Sequence, residues 1–174
     1  MTLSGGEPLA QPRFAEALLG ACRARGIHTA LDTCGMAPAG ELLRVSAQAD
    51  LVLFDVKLVD SEAHALHTGA PNATILKNLE ALAAAGRALV VRYPLIPGIN
   101  DSEAALAGLA TCLRGLGLRR LDLLPYHRTG VGKYRRLGLD CPTEEIPSPD
   151  AARVAEIAGR LRGEGLEVGV GGKR

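Results

Sequence analysis

The residues of this chain that could do chemistry stand where short apolar runs of sequence end. They are the segment from Ser4 to Glu7, the pair Asp32 and Thr33, the pair Asp55 and Lys57, then Arg92, and the pair Tyr126 and His127. In an α/β barrel the carboxyl ends of the strands converge on one face, and that face carries the active site. A cap or a turn would explain any one of these residues, but their succession predicts a shared site.

The first of these segments, Ser-Gly-Gly-Glu, suits a ligand that carries an ammonium group. Gly5 and Gly6 let the backbone turn sharply and expose its N–H and C=O groups, and Glu7 adds a carboxylate beside that backbone. A Gly-Gly turn is common, however. Taken alone, the motif favours an ordinary turn between a strand and a helix.

Two aspartates predict a concentration of negative charge at the mouth of the barrel. Asp32 and Asp55 each follow an apolar strand directly, so their carboxylates would lie a few ångströms apart if the strands are neighbours. Lys57 stands one pleat beyond Asp55 on the same side, where it could neutralise the pair or bind a substrate carboxylate. The structural alternative is a salt bridge that closes the end of the barrel.

Among the histidines, His127 is the best candidate for a functional role, because a strand end would hold it while the following loop leaves it reachable. His64 and His67 stand three apart in a predicted helix. That spacing could ligate a metal, but it is more typical of a solvated helix face. The loop after His127 carries basic side chains without acidic ones, which indicates a solvated loop or a local anion or protein contact rather than nucleic acid.

Apolar periodicity places these residues in an α/β fold. Helices are predicted for residues 12–26, with Phe14, Ala17, Leu18 and Ala21 on the apolar face, for 38–48, after Asp60, from Asn72 as a cap to 86, behind Asp101, and behind Ser148 and Pro149. Strands are predicted for residues 27–31, 51–54, 88–93, 121–124 and 166–170. Their alternation with helices predicts right-handed crossovers and a parallel sheet buried on both faces. No linker divides the chain, so residues 1–174 are predicted to form one domain.

Composition excludes several classes of protein. The chain has 174 residues, of which 47% are hydrophobic, so we expect one domain with a core. A net charge of +1 offers no general attraction to nucleic acid or to an anionic membrane, and neither a membrane span nor a signal peptide is evident, which favours the cytoplasm. The spacing of the four cysteines matches no zinc motif, and we expect free thiols, with Cys22 and Cys112 buried in helices.

Five strings of this sequence together resemble the activating enzymes of glycyl radical enzymes, of which pyruvate formate-lyase activating enzyme is the best-known member. The strings are TLSGGEPL at 2–9, GIHTALDTCG at 26–35, LVLFDVK at 51–57, VVRYPLIPGIND at 90–101 and LLPYHRTGVGKYRRLG at 123–138. They span nearly the whole chain, in order and with compatible spacing. Singly they are modest, but jointly they are highly specific.

The resemblance implies a partial (β/α)6 barrel, similar to a TIM barrel, with a [4Fe-4S] cluster and S-adenosylmethionine at the carboxyl ends of its strands. In that family the 5'-deoxyadenosyl radical released from S-adenosylmethionine takes a hydrogen atom from a backbone glycine of a partner glycyl radical enzyme. A reductant such as flavodoxin or ferredoxin is implied as a second partner. Neither nucleic acid nor a membrane is implied.

The resemblance also assigns roles to individual positions. Gly5, Gly6 and Glu7 match the family's positions around the methionyl amino group. The positions around the methionyl carboxylate and the ribose match Asp32, Asp55, Lys57 and His127. Arg92 matches a further polar position that faces the cofactor. Some relatives bind a monovalent cation. Its ligands match Asp32, Thr33, Asp55 and the carbonyl of Leu53, where leucine replaces a methionine of the family.

This sequence departs from the family at one point, because it contains no CxxxCxxC loop. In the family that loop follows the first strand, and its three thiolates hold the cluster. Met1 stands near the end of what corresponds to the second strand, so the sequence resembles the family with its first βα unit missing. We therefore expect no catalytic residue and no cluster ligand in this chain, an unpaired sheet edge at residues 1–4, and exposed apolar side chains.

Three interpretations of function follow. The first is part of a radical S-adenosylmethionine activating enzyme, an oxidoreductase that generates a glycyl radical on a partner such as pyruvate formate-lyase. The second is a non-catalytic module that binds the cofactor or the partner. The third is an unrelated barrel lyase or hydrolase that uses Asp32, Asp55 and His127 around a divalent metal.

Overall fold

The computed structural model describes residues 1–128 and 131–172, and in this part of the chain six parallel strands form one sheet. The strands lie side by side in chain order: β1 (Thr2–Leu3), β2 (Ala30–Thr33), β3 (Leu51–Asp55), β4 (Leu89–Leu95), β5 (Arg120–Pro125) and β6 (Glu167–Val170). The helices are α1 (Pro12–Arg23), α2 (Ala39–Ser46), α3 (Ser61–Thr68), α4 (Ala73–Ala84), α5 (Glu103–Gly115), α6 (Val131–Arg136) and α7 (Ala151–Gly163). The predicted α/β class and partial TIM-like barrel are confirmed.

The strand order places the core on one face of the sheet. Right-handed crossovers that always advance to the next strand put every helix on the same side. There Leu19, Leu79 and Leu109 from the helices are buried in one cluster with Phe54 and Leu121 from the strands. The predicted burial of the sheet on both faces is therefore wrong.

We call the opposite side of the sheet the inner face and define it by Asp32, Asp55, Arg92 and Asp122. Three of these residues are only half-buried, whereas Asp122 is buried. In a parallel sheet, registered neighbours point to the same side, and the register pairs Asp55 with Arg92 and Arg92 with Asp122. The inner face is consequently a row of polar side chains across adjacent strands.

The predicted helices are present, but the buried face of α1 differs from the prediction. Ala15, Leu19 and Cys22 are buried, whereas Phe14 is 61% exposed. Both sets of residues keep helical spacing, so periodicity alone did not decide which set faces the sheet. No helix in the described part of the chain is long and apolar enough to cross a membrane.

Two strand and cap predictions also change. β2 begins at Ala30 rather than at residue 27, and Ile27 is 42% exposed. Asn72 precedes α4 as predicted, but its side chain makes no cap hydrogen bond and instead donates to the carbonyls of Leu58 and Val59. Asp60 does cap α3, where its carboxylate accepts from the backbone N–H of Ala63 at 2.8 Å.

One edge of the sheet is open within the described residues, because β1 pairs only with β2. Beside it lies a hollow of about 270 Å³ whose lining includes Leu3, Pro8 and Phe14. Unpaired strand edges and exposed apolar side chains are sites of association between chains. The expectation of an open edge with exposed apolar side chains is met by this geometry.

We expect the isolated chain to self-associate through this edge, and Phe14→Glu to shift it toward monomer because a charge in the hollow opposes apolar contact. Sedimentation velocity at high protein concentration measures the effect. Leu66→Glu is the control, since Leu66 is 80% exposed on α3 and lies outside the hollow. Equal sedimentation of the wild type and both variants as monomers would contradict this expectation.

Gly35 is required by the turn after β2. Its φ is +73°, in the left-handed region, and a Cβ built there would lie 2.4 Å from the ring of Phe54, which is fully buried. We expect Gly35→Ala to lower the free energy of unfolding by roughly 2–4 kcal/mol, combining backbone strain with overpacking.

The matched control for Gly35→Ala is Gly40→Ala in α2, where a Cβ would meet nothing within 4 Å. It should change stability by less than about 1 kcal/mol, toward greater stability. Urea denaturation compares the two. A Gly35→Ala variant as stable as Gly40→Ala would contradict the prediction, because it would mean that the Phe54 ring moves aside at no cost in stability.

Candidate functional site

The carboxyl ends of β1 to β4 surround a pocket of about 330 Å³. This volume lies within the range of about 300–1,000 Å³ that is usual for small-molecule sites. The residues that line it are Ser4, Gly5, Gly6, Glu7, Asp32, Thr33, Cys34, Asp55, Lys57 and Arg92. The structure thus brings together every residue predicted for the shared site except Tyr126 and His127, which follow β5. Leu53, which the resemblance gave as a cation ligand, does not line the pocket either.

Arg92 connects the two aspartates of this pocket. Its Nε donates to Oδ1 of Asp55 at 2.7 Å, and a terminal guanidinium nitrogen donates to Oδ1 of Asp32. The Ser4 hydroxyl donates to the other Asp32 oxygen at 2.8 Å. The salt bridge considered as a structural alternative is therefore present, with Arg92 rather than Lys57 as its cation.

The electrostatics of this triad follow from partial burial. Burial raises the pKa of the Asp55 carboxyl, while the hydrogen bond and charge of Arg92 act to lower it. Burial alone would lower the pKa of the Arg92 guanidinium, but Asp55 and Asp32 outweigh that effect and the pKa is raised. The guanidinium is thus held charged between the two carboxylates.

Lys57 faces the same pocket with its charge available. Its side chain is exposed and makes no ion pair with any residue of the described ranges. Its backbone carbonyl, in contrast, is fixed, because it accepts from Nδ2 of Asn100 at 2.9 Å. Lys57 is therefore a cation on an anchored backbone, which suits an anionic group of a ligand.

The Glu7 carboxylate clamps the Gly-Gly loop to the end of β2. One oxygen accepts from the Thr33 hydroxyl at 2.6 Å and from the backbone N–H of Leu9 at 3.1 Å. The other accepts from the backbone N–H of Cys34 at 3.0 Å and from its thiol at 3.1 Å. The pKa of the Cys34 thiol is raised, first by its burial and then by its hydrogen bond to Glu7. The role of Glu7 toward an ammonium group stays a prediction.

The glycines of that loop leave their backbone open to the pocket. Gly5 has a φ of +123°, a backbone conformation that residues with a side chain rarely adopt. A Cβ built at Gly5 or Gly6 would meet nothing within 4 Å. The exposed N–H and C=O groups are therefore reachable by a ligand. With the Glu7 carboxylate occupied, this backbone is the part of the loop that is free to bind.

Three buried asparagines, which the sequence analysis did not assign to the site, tie the loops at this rim together. Asn78 donates to the carbonyls of Gly35 and Ala37 at 2.7 and 2.8 Å. Asn100 donates to those of Lys57 and Pro94, and its Oδ1 accepts from Ile96. Their mark in the sequence is an amide among apolar residues, as at Asn78 within ATILKNLEALAA. Asn72 completes the set.

His127 and the proposed cation ligands are placed differently. His127 is exposed after β5 and is not among the described residues that line the pocket. Leu53 lies on the inner face, registered with Asp32, and Arg92 already bonds both aspartates, so a cation would share those carboxylates with it. The cation site and the role of His127 stay predictions.

The solvated position expected for His64 is wrong, since its side chain is 3% exposed and contacts the Ala70 carbonyl.

The described residues do not fit an iron–sulfur cluster. Within residues 1–128 and 131–172 no group of three or more histidine, cysteine or acidic side chains could hold a metal ion. Cys22 and Cys112 lie in α1 and α5, Cys141 follows α6, and only Cys34 reaches the pocket. Cys22 is buried as predicted, whereas Cys112 is half-buried. A cluster of the family's kind needs three nearby thiolates.

Comparison with known proteins assigns this geometry to a family. A model described as the radical SAM superfamily matches residues 1–110. The solved domain of pyruvate-formate lyase-activating enzyme from Bacteroides vulgatus is 31% identical, with a TM-score of 0.83, and the match covers 99% of this chain and 98% of that one. The chain belongs to the radical SAM superfamily.

Curated relatives of this chain include activating enzymes. Isethionate sulfite-lyase activating enzyme of Desulfovibrio desulfuricans is 46% identical over 84% of this chain and 47% of its own length. Choline trimethylamine-lyase activating enzyme of Oleidesulfovibrio alaskensis is 42% identical over 93% and 54%. The resemblance to glycyl-radical-enzyme activating enzymes is confirmed, and an unrelated metal-dependent lyase or hydrolase is not supported. The chain spans about half the length of these curated relatives.

We expect Arg92→Met to destabilise the fold by about 2 kcal/mol near neutral pH, because it leaves two part-buried carboxylates without their cation. Asp55 has a raised pKa, so the folded state binds its proton more readily than the unfolded state does, and stability falls as pH rises through that range. Arg92 lowers the pKa of Asp55, so without it that pKa should rise further and the loss of stability between low and neutral pH should be larger. Urea denaturation near pH 4.5 and near pH 7 measures it.

Arg44→Met is the control for Arg92→Met. It removes the exposed ion pair with Glu16, where the Arg44 side chain is 45% exposed, and should cost less than about 1 kcal/mol at either pH. Equal losses for the two variants, or a loss at Arg92 that does not depend on pH, would contradict the electrostatic account of the triad.

Proposed function

We propose that the whole protein is a radical S-adenosylmethionine activating enzyme and that this chain supplies its cofactor-binding pocket and a face for the partner. The reaction proposed is removal of a hydrogen atom from a backbone glycine of a glycyl radical enzyme, which leaves a glycyl radical there and 5'-deoxyadenosine as product. S-adenosylmethionine supplies the 5'-deoxyadenosyl group for this chemistry. The protein's part is to bind and orient it.

The observation that carries the proposal is the pairing pattern inside the pocket. The exposed Gly5 and Gly6 backbone can accept from an ammonium group, and Lys57 offers its free charge to a carboxylate. Only one oxygen of Asp55 is bonded to Arg92, so the other can accept from a ribose hydroxyl. A zwitterionic amino acid joined to a nucleoside has all three of these groups.

The pocket is shaped to hold this ligand still. Glu7 fixes the glycine loop against β2, and Asn100 fixes the backbone of Lys57 against the segment after β4. Binding groups held in advance lose little conformational freedom when the ligand arrives, and this preorganisation raises affinity. The residues of the pocket therefore favour one orientation of the bound molecule.

The cluster and the remaining partners belong to the proposal for the whole protein. We propose that three thiolates reach the pocket from a part of the whole protein that this chain does not include, packed on the open edge of β1. A reductant such as flavodoxin or ferredoxin and a cytoplasmic location are further parts of the proposal. A non-catalytic binding module would use the same pocket, so formation of 5'-deoxyadenosine separates the two.

Isothermal titration calorimetry of the chain with S-adenosylmethionine and with 5'-methylthioadenosine tests the pocket, because the second compound lacks the amino acid. Lys57→Gln should weaken S-adenosylmethionine roughly tenfold by removing a charge-assisted contact and leave 5'-methylthioadenosine unchanged. Asp55→Asn should weaken both. Lys77→Gln, on the exposed surface of α4, is the control.

Absence of binding, or a Lys57→Gln variant that binds both compounds like the wild type, would overturn the assignment of the pocket. A second measurement concerns the cluster. After anaerobic treatment with iron and sulfide, the chain alone should bind S-adenosylmethionine without releasing 5'-deoxyadenosine, and its stoichiometric release would show that the chain carries cluster ligands of its own.

A further inference from the structure

Buried side-chain amides hold three successive backbone carbonyls in the segment that carries Lys57. β3 ends at Asp55, so residues 57–59, which we call the lysine segment, lie beyond the end of the strand. Nδ2 of Asn100 donates to the carbonyl of Lys57 at 2.9 Å. Nδ2 of Asn72 donates to the next two carbonyls, at 3.0 and 2.7 Å. Every carbonyl of the lysine segment therefore accepts from a side-chain amide.

The two amides come from different elements of the fold. Asn72 stands directly before α4, Asn100 stands between β4 and α5, and they are 2% and 1% exposed. Asn100 is itself held in place, because its Nδ2 also donates to the carbonyl of Pro94 at 2.6 Å and its Oδ1 accepts from the N–H of Ile96 at 2.8 Å. The lysine segment is consequently tied both to α4 and to the end of β4.

Asn72 makes these bonds instead of a helix cap. It occupies the N-cap position of α4, where an asparagine side chain ordinarily accepts from a backbone N–H of the first turn and stabilises the helix. No such bond is made by its side chain. The amide is thus directed to the lysine segment although a stabilising bond within α4 is open to the same residue type.

These bonds fix the point from which the Lys57 side chain starts. On the amino side, the N–H of Val56 donates to the carbonyl of Arg92 at 3.0 Å and continues the pairing of β3 with β4. On the carboxyl side, the Asn100 bond holds the carbonyl of Lys57 itself. Because the backbone is held on both sides, only the flexible four-carbon stem is free to move the ammonium group at the rim of the pocket. A group held in advance loses less freedom when it binds.

A purely structural role would also place donors at these carbonyls, since buried backbone groups are nearly always hydrogen-bonded. Asn78 provides the comparison. It is 2% exposed and donates to two carbonyls, those of Gly35 and Ala37, at 2.7 and 2.8 Å. The segment that it holds, residues 34–38, carries no charged side chain. The two roles therefore differ in whether loss of the amide affects recognition of an anionic group.

From this arrangement we infer that Asn72 and Asn100 are positioning residues, which hold Lys57 where its ammonium group meets the carboxylate of the bound ligand. This inference rests on the proposed function, because that function supplies a ligand with a carboxylate. Neither asparagine is among the described residues that line the pocket. Both act on the ligand through the backbone of the lysine segment.

Isothermal titration calorimetry with S-adenosylmethionine and with 5'-methylthioadenosine tests the inference. Asn100→Ala and Asn72→Ala should each weaken S-adenosylmethionine by about three- to tenfold and change 5'-methylthioadenosine, which has no carboxylate, by less than about twofold. Asn78→Ala is the matched control. It should lose comparable stability in urea and leave the ratio of the two affinities unchanged.

A double variant adds a readout that a structural role would not move. In a chain that carries Lys57→Gln, Asn100→Ala should weaken S-adenosylmethionine no further, because the charge that it positions is already absent. Equal weakening of both compounds, the same change of ratio in Asn78→Ala, or full additivity of Asn100→Ala with Lys57→Gln would overturn the inference.

Relaxation of ¹⁵N in the wild-type chain tests the same point without a variant that has to fold. Backbone order parameters of residues 57–59 should be about 0.85 in the free chain, as in rigid backbone, and should not rise when S-adenosylmethionine binds. Values below about 0.6 that rise on binding would show that the ligand, rather than the amides, orders the lysine segment. That result would overturn the inference.

The calorimetry also separates this inference from the proposed function. No binding of S-adenosylmethionine by the wild type, or no loss in Lys57→Gln, would overturn the proposed pocket, and with it the role of the amides toward a carboxylate. A selective loss in Lys57→Gln without one in Asn72→Ala or Asn100→Ala would overturn the positioning role alone.

Discussion

The site depends on a guanidinium held between two carboxylates. Asp32 and Asp55 end neighbouring strands on the same face, and their charges would oppose each other at that distance. Arg92, on the next strand, has a planar fork of donors that reaches both. Because this one side chain joins β2, β3 and β4, it fixes the separation and direction of the carboxylates. The positive charge of Arg92 therefore offsets the repulsion between the two carboxylates in the pocket.

Around this triad, side-chain bonds to backbone hold the loops that a parallel sheet leaves irregular. Glu7 accepts a hydrogen bond from the backbone N–H of the residue that follows β2. Asn78 and Asn100 donate to backbone carbonyls after β2 and after β3. Helices packed on one face fix the strands, but not the loops beyond them. The buried amides therefore do at the rim what apolar packing does in the core. The backbone of Lys57 is anchored by Asn100, while its ammonium group is exposed and makes no ion pair with any residue that the structure describes.

The sequence predicted the parallel sheet, the helices and the gathering of Gly5, Gly6, Asp32 and Asp55, because these depend on local periodicity and on the rule that parallel strands end together. It left open which strands are neighbours. It did not predict that Arg92 rather than Lys57 would bridge the aspartates. Both are cations on the same face, and only the register of β3 with β4 separates them. The exposed face of α1 and the amide bonds of Asn72 were missed for a similar reason, since each depends on a tertiary neighbour that spacing does not reveal.

The inner face divides into two parts that differ in how their charges are satisfied. In the pocket the two aspartates are bonded to Arg92, and Lys57 makes no ion pair with any described residue. Along β5 and β6 a second cavity is lined by two arginines, Arg120 and Arg162, and by two acidic residues, Asp122 and Glu167, so its charges balance. Arg92 and Asp122 are registered neighbours, and adjacent strands lie about 4.8 Å apart. The pocket with its surplus cation and the charge-balanced cavity are therefore adjacent parts of one sheet, and a ligand bound in one would lie beside a ligand bound in the other.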